Sequence, residues 1–356
     1  MMTRFILCIG WLFLTACSGD TPVVEGDTPA AVNGQVVILT SRDEKFMHGL
    51  WEQVKAAHPQ IELVVDYGKD AGYLDRMRVE RDNPRADLYL SKASGPLESA
   101  VADDLLQPLP TSLLEKVPER FRGTDGRWVG LSARARVLVR RKGLETKVER
   151  LQDLTDPALK GRVARTVATN SSFVGGVASY LAQHGEAETR SWLAGLQENS
   201  AGNVHPKHTP AVAAVAEGLA DVALVNHYYF YRNVLGKSVS ATATEDEIAE
   251  KLKNAPIEVI YPASKGSGVA WNVSGAGLLK GAPHAPAALA VLEILLSMEG
   301  QKAYAFTNRE YPVVAGVASP PGVHAADSFT WSDAALPQLA AHQSQAVALI
   351  QELGLE

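Results

Sequence analysis

Two hydrophobic periods alternate along this chain. Gln35-Val36-Val37-Ile38-Leu39-Thr40 is a β-branched run of strand length. Behind it, from about Lys45 to His58, Phe46, Leu50, Val54 and Ala57 share one helical face, and Pro59 stops the pattern. Ile61–Val65 predicts a second strand, Tyr73–Arg81 a second helix and Ala86–Leu90 a third strand. This order predicts a parallel α/β sheet, because parallel neighbours need a helical crossover. Trp128–Val139 is extended, alternates near its end and carries no helix stop signal, as a hinge strand between two lobes would. A second α/β set follows. It has a short helix at Asp153–Lys160, a strand at Arg162–Val167, a helix from Phe173 to a glycine stop at Gly185, and a further helix at Glu186–Asn199. Then come a helix at Pro210–Gly218 and a strand at Asp221–Val225. Ile257–Tyr261 reads as a strand returning to the first lobe, Asn272–Gly277 as a loop and Pro286–Ser297 as an apolar helix, with a helical tail beyond Thr330.

The pattern therefore predicts an α/β protein of two lobes. The first is 34–133 plus about 259–309, and the second about 134–258 plus 310–356. Lobes joined by crossing strands enclose a cleft, ligands in such sheets sit at the carboxyl ends of strands, and hinge motion closes the cleft.

The N-terminus adds an address. Arg4 precedes an almost wholly apolar Phe5–Ala16, of signal-peptide length and too short to span a bilayer comfortably. It ends in Leu14-Thr15-Ala16-Cys17, which looks like a bacterial lipobox. Residues 1–16 are thus expected to be a signal peptide, Cys17 a lipid-anchored first mature residue, and 17–33 a flexible tether rich in Gly, Pro, Thr and acidic residues. That predicts a periplasm-facing protein held on the cell membrane. The chain has 2 cysteines, Cys8 and Cys17, so the mature body carries no thiol for a disulfide or a thiolate metal site. Any metal must be held by oxygen or nitrogen. A net charge of −6 argues against a nucleic-acid partner.

The strongest local signal is Asp221-Val222-Ala223-Leu224-Val225-Asn226-His227-Tyr228-Tyr229-Phe230-Tyr231-Arg232. A buried strand runs into Asn226, a good helix N-cap, and a helix opens behind it. Tyr228 and Tyr229 then stand at the carboxyl end of a strand, on the lip of the cleft, where a helix N-terminus also favours anions. Phenolate is a hard anionic donor, and a trivalent ion displaces its proton although a free tyrosine titrates near 10.

This segment resembles the tyrosine-pair motif of the periplasmic ferric-ion-binding proteins, the substrate-binding components of ABC importers. Three further stretches agree. Trp128–Arg136 is similar to the family's hinge stretch, Asn272-Val273-Ser274-Gly275-Ala276-Gly277 to its Asn-Xaa-Ser-Gly-Ala-Gly signature, and Asn308-Arg309-Glu310-Tyr311-Pro312-Val313 to its Asn-Xaa-Glu-Tyr-Pro-Val box. The resemblance runs over about residues 35–315 and implies a type II periplasmic-binding-protein fold, monomeric, delivering cargo to an ABC permease. It implies Tyr228 and Tyr229 as ligands of Fe(III), with a synergistic anion such as carbonate or phosphate. Arg42 matches an anion-holding arginine, a guanidinium fork suited to a bidentate oxyanion. Ser171 and Ser172 lie at a strand-to-helix turn used for an anion or a third tyrosine. Asn226 matches an anion-contacting asparagine, and His208 falls where some members have another.

The chain also departs from the pattern. The family's first-strand histidine is replaced by Asp43, which offers either a hard carboxylate oxygen or a helix cap. The third-tyrosine position is Ser172, and a ligand glutamate after the third strand is Ser91. Two phenolates and one carboxylate fill at most half of an octahedron, so an anion or small organic solute stands as the second cargo class. No Gly-Xaa-Ser-Xaa-Gly elbow, His-Glu-Xaa-Xaa-His or Walker loop points to an enzyme.

Overall fold

The computed structural model of the protein describes residues 33–236, 243–262, 268–333 and 336–355. The signal segment, Cys17 and the tether up to residue 32 lie outside them. The first strands and helices follow the pattern: β1 (Gly34–Thr40), α1 (His48–Ala57), β2 (Ile61–Tyr67), α2 (Asp70–Val79), β3 (Leu88–Ser91) and α3 (Ser94–Ala102). The helix expected from Lys45 instead starts with a 3-10 turn at Glu44–Phe46 before α1. After β4 (Leu106–Gln107) and the single turn α4 (Thr111–Leu114) comes the long β5 (Trp128–Arg141). The second set is β6 (Val163–Thr166), α5 (Ser171–Asn199), β7 (Val204–His205), α6 (His208–Ala216), β8 (Val222–Asn226), α7 (His227–Leu235), α8 (Glu245–Asn254) and β9 (Ile257–Ile260). The chain ends with β10 (Trp271–Leu279), α9 (Ala285–Leu295), α10 (Met298–Gln301) and α11 (Leu336–Glu352).

The strands form one curved path, β2-β1-β3-β10-β5-β8-β6-β7, with β4 beside β10 and β9 beside β5. β5 changes partner halfway along. Trp128–Ala135 pairs antiparallel with β10, whereas Arg136–Arg140 pairs with β8 and Leu138–Arg141 with β9. One strand is thus shared by both halves of the sheet, as the extended Trp128–Val139 run suggested.

Both faces of the sheet are covered, which is why its strands read as nearly continuous apolar runs. Period-two alternation sorts their side chains. Val137 and Val139 of β5, with Ala223 and Val225 of β8, join the larger core; Leu138, Val222 and Leu224 join a second core built around Phe173, Trp192 and Leu349. Within α5 the expected glycine stop appears as a break, with Gly185 at φ 77° between two helical halves.

Two expectations fail for visible reasons. Asp153–Lys160 is a pair of 3-10 turns, Gln152–Thr155 and Pro157–Leu159, because Pro157 cannot continue a helix and Asp156 caps Ala158 instead. Asn272–Gly277 is not a loop but the middle of β10, between β3 and β5. Its glycines are there for close approach: a Cβ on Gly275 would lie 2.7 Å from the Val129 carbonyl oxygen. Gly275→Ala is therefore expected to cost about 1–3 kcal/mol, read as a lowered thermal midpoint.

Candidate functional site

β8 delivers the tyrosine pair. It is buried along its whole length and ends at Asn226, so α7 starts directly at the end of a fixed strand. Tyr228 and Tyr229 fall in the first turn of α7, with ring centroids 4.3 Å apart. Both line a cleft of about 440 Å³ together with Arg42, Asp43, Ser171, Ser172 and His208. Seven of the residues singled out in the sequence thus share one cavity, though they come from β1, α5, α6, α7 and their flanking turns.

Burial pushes the Tyr229 phenol well above its ordinary value, and the neighbouring Tyr228 adds to this. Among the described residues, no group of three or more His, Cys, Asp or Glu side chains converges to hold a metal ion. Any metal held here by this chain would rest on the phenols first.

Asn226 has the extended backbone of an N-cap, but its side chain makes no cap hydrogen bond. Its Oδ1 accepts from Arg136 at 3.3 Å, and its Nδ2 donates to Ser172 Oγ at 3.2 Å and reaches the Tyr228 hydroxyl at 3.5 Å. The expected cap is thus a bridge between the tyrosine pair, α5 and β5. At α5 the cap is Asn170, whose Oδ1 accepts from the Ser172 amide at 3.0 Å.

Arg42 reaches the cleft wall with its guanidinium already engaged. It donates to Glu310 Oε2 at 3.0 Å and to the Tyr304 carbonyl at 3.3 Å, and lies 4.1 Å over the Tyr304 ring. Only its Nε lacks an acceptor among the described residues. Asp43 stands at the rim, 63% exposed and 3.5 Å from Lys45, and makes no helix-cap hydrogen bond. His208 is not in a loop: it is the first residue of α6, 3% exposed, with its ring 4.7 Å from that of Tyr229. Burial, with the charge of Arg136 behind it, holds its imidazole well below the ordinary range and therefore neutral. Neither ring nitrogen meets a partner among the described residues.

The residues that sequence reasoning missed are the other arginines. Arg134 and Arg136 are 8% and 5% exposed, and two buried guanidinium nitrogens of Arg136 have no partner among the described residues. Burial lowers the Arg136 pKa to about 10, opposed by Tyr228 and Tyr229. The signal was available: Arg134 and Arg136 alternate within an otherwise apolar strand, which aims both at one face. His227, in contrast, is structural. Its Nδ1 accepts from the Ala135 amide, and its Nε2 bonds the Arg309 carbonyl at 2.9 Å.

The cleft lining carries six cationic side chains, Arg42, Lys45, Lys92, Arg134, Lys207 and Arg232, against the two carboxylates of Asp43 and Glu310. A site of this sign draws anions and anionic complexes from solution and repels a bare cation.

Residues 83–335 match the family of bacterial extracellular solute-binding proteins. Iron uptake protein A1 of Synechocystis sp. is 32% identical over 99% of this chain and 96% of its own length. Iron uptake protein A2 of the same organism is 34% identical over 79% of this chain and 80% of its own. A Trichodesmium protein solved in complex with iron and citrate superposes with a TM-score of 0.78 at 27% identity, covering 91% of this chain and 100% of that one. These relatives bear out the resemblance to ferric-iron-binding proteins and the two-lobed periplasmic-binding-protein fold. With such matches over most of its length, the chain belongs to the bacterial extracellular solute-binding protein family, whose members bind their substrates and do not transform them.

Proposed function

We propose that this protein captures Fe(III) as an anionic complex in its cleft and delivers it to the permease of an ABC importer, held at the membrane by a lipid on Cys17. The observation that carries this reading is the Tyr228–Tyr229 pair on the first turn of α7, facing a cationic cleft. The names of the Synechocystis relatives and the iron of the Trichodesmium complex support it. Metal capture then has a simple order. The cationic wall attracts an anionic ferric complex; the two phenols lose their protons to solvent and coordinate the metal. Oxygen donors from the accompanying anion fill positions of the octahedron that two phenolates leave two-thirds empty. Asp43, the exposed carboxylate of the cleft lining, would add one more. Closure about the shared strand β5 would bring the rim over the loaded metal. The excess of cationic groups also favours the second reading, an organic anion as cargo in its own right.

Acid should unload the metal. Each coordinated phenolate competes with a proton, and burial raises the affinity of the Tyr229 phenol for that proton. Stripped protein dialysed against ferric citrate is expected to retain one iron per chain at neutral pH and to lose it progressively as the pH falls. Retention of no iron at neutral pH would contradict the proposal and leave the organic anion as cargo.

A further inference from the structure

Tyr228 and Tyr229 both belong to α7, in the half of the sheet built on β8. A metal held by these phenols alone is attached to one half of the protein and does not itself draw the other half over it. The first half offers Asp43, 63% exposed, while Glu310 is already engaged by Arg42. Closure of this cleft therefore needs contacts of its own between the halves.

Such a contact stands at the cleft mouth. Arg232 follows Tyr229 by three residues, so the two side chains share one face of α7. Its guanidinium carbon lies 5.6 Å from the centre of the Tyr229 ring. Its other neighbours come from the first half. The Phe46 ring centre is 5.9 Å away, and Arg232 Nη1 donates to Asn308 Oδ1 at 3.1 Å. Asn308 is 5% exposed and donates in turn to Glu310, which fixes its carboxamide as an acceptor. A planar guanidinium stacks on aromatic faces while its edge donates hydrogen bonds, a combination the compact ammonium of lysine lacks.

Phe46 is placed for this contact rather than for the core. The hydrophobic pattern puts it on the buried face of the first helix. In the structure it ends the 3-10 turn at Glu44–Phe46, half-buried, and joins neither core. It lines the cleft instead, with Lys45 and Arg42 of its own half 5.0 and 5.8 Å from its ring centre and Arg232 reaching it from the other half. A ring withdrawn from the core and met by three cations is used for its negative face. Pairs of this kind contribute a factor of about two to five at exposed sites and about thirty when desolvated. A contact of that strength delays opening without locking the cleft.

We infer that Arg232 is a positioning residue that clasps the two halves of the cleft, with Tyr229 on one side and Phe46 and Asn308 on the other, and so slows the escape of cargo. It rests on the iron reading only for the cargo whose escape is timed.

The test is a double-mutant cycle of Phe46→Leu and Arg232→Gln, read in two ways on the purified protein. Phe46→Leu keeps an apolar side chain and every charge and removes the ring. Arg232→Gln keeps a donor for Asn308 and removes the charge. In iron-loaded protein, release to excess chelator at neutral pH is expected to quicken at least threefold in each variant, and the double variant to release no faster than the faster single one. The visible tyrosinate–Fe(III) band of loaded Phe46→Leu should stay where it is in the parent, because both phenols are untouched. In metal-free protein, chemical denaturation should show the same coupling, the double variant losing less stability than the two single variants together. Release at the parent rate in Phe46→Leu would overturn the inference. So would a shifted band in that variant, or effects that simply combine in either experiment. Coupling in a metal-free protein that takes no iron would support the clasp and overturn the iron reading alone.

Discussion

Tyr228→Phe and Tyr229→Phe should each lower Fe(III) affinity at least about 100-fold, about 3 kcal/mol, in competition with a soluble chelator. Each substitution removes one of two anionic donors in a site where no group of three or more His, Cys, Asp or Glu is available among the described residues. The fold should hardly respond. Tyr228 is 7% exposed, and its hydroxyl meets Asn226 only at 3.5 Å, so phenylalanine keeps the packing and gives up a weak contact. Thermal midpoints close to the parent, with iron affinity lost, are the expected combination. Parent affinity in either variant would mean that the metal is held elsewhere.

Glu310→Gln should be the most destabilising conservative change in the cleft, by about 3–5 kcal/mol, because it leaves the Arg42 charge buried and unpaired. Glu310 is 1% exposed and accepts from Arg42 at 3.0 Å, with Ser132 and Asn308 as further donors. Burial alone would raise its carboxyl pKa, but Arg42, Arg134 and these hydrogen bonds outweigh that and hold it at about 2. The unfolded chain therefore takes up the proton first, at about pH 4.5. The Arg42–Glu310 pair contributes its full stability above that pH and loses it as the pH falls towards 2. Chemical denaturation across this window should show the parent weakening with acid and Glu310→Gln responding less. A variant as stable as the parent would contradict the account of this pair.

The same pair shows why sequence position alone does not describe Arg42. Position alone makes Arg42 an anion arginine, and the structure does bring it to the cleft. But Glu310, 268 residues away in sequence, accepts from its guanidinium. Arg134 and Arg136, two steps apart on β5, are the less committed cations, and only the alternation of the strand marks them. The architecture was largely legible because each early strand and helix carries its own period and its own stop. Tertiary contacts overrode the local signal elsewhere. Asn272–Gly277 has loop composition, yet its glycines admit neighbouring strands at less than ordinary side-chain distance. His208 follows a polar turn, yet the α6 helix it begins seats it against Tyr229. Asn226 occupies a cap position, yet Arg136 and Ser172 claim its carboxamide. Side-chain commitments of this kind depend on partners far away in sequence, so local pattern does not carry them.

The central claim is that two phenolates hold ferric iron, and it has a direct optical test. Titration of the stripped protein with ferric citrate should produce a saturable tyrosinate–Fe(III) charge-transfer band in the visible, one equivalent per chain, which disappears in Tyr228→Phe. Iron bound stoichiometrically with no such band, or with a band unchanged in that variant, would contradict it.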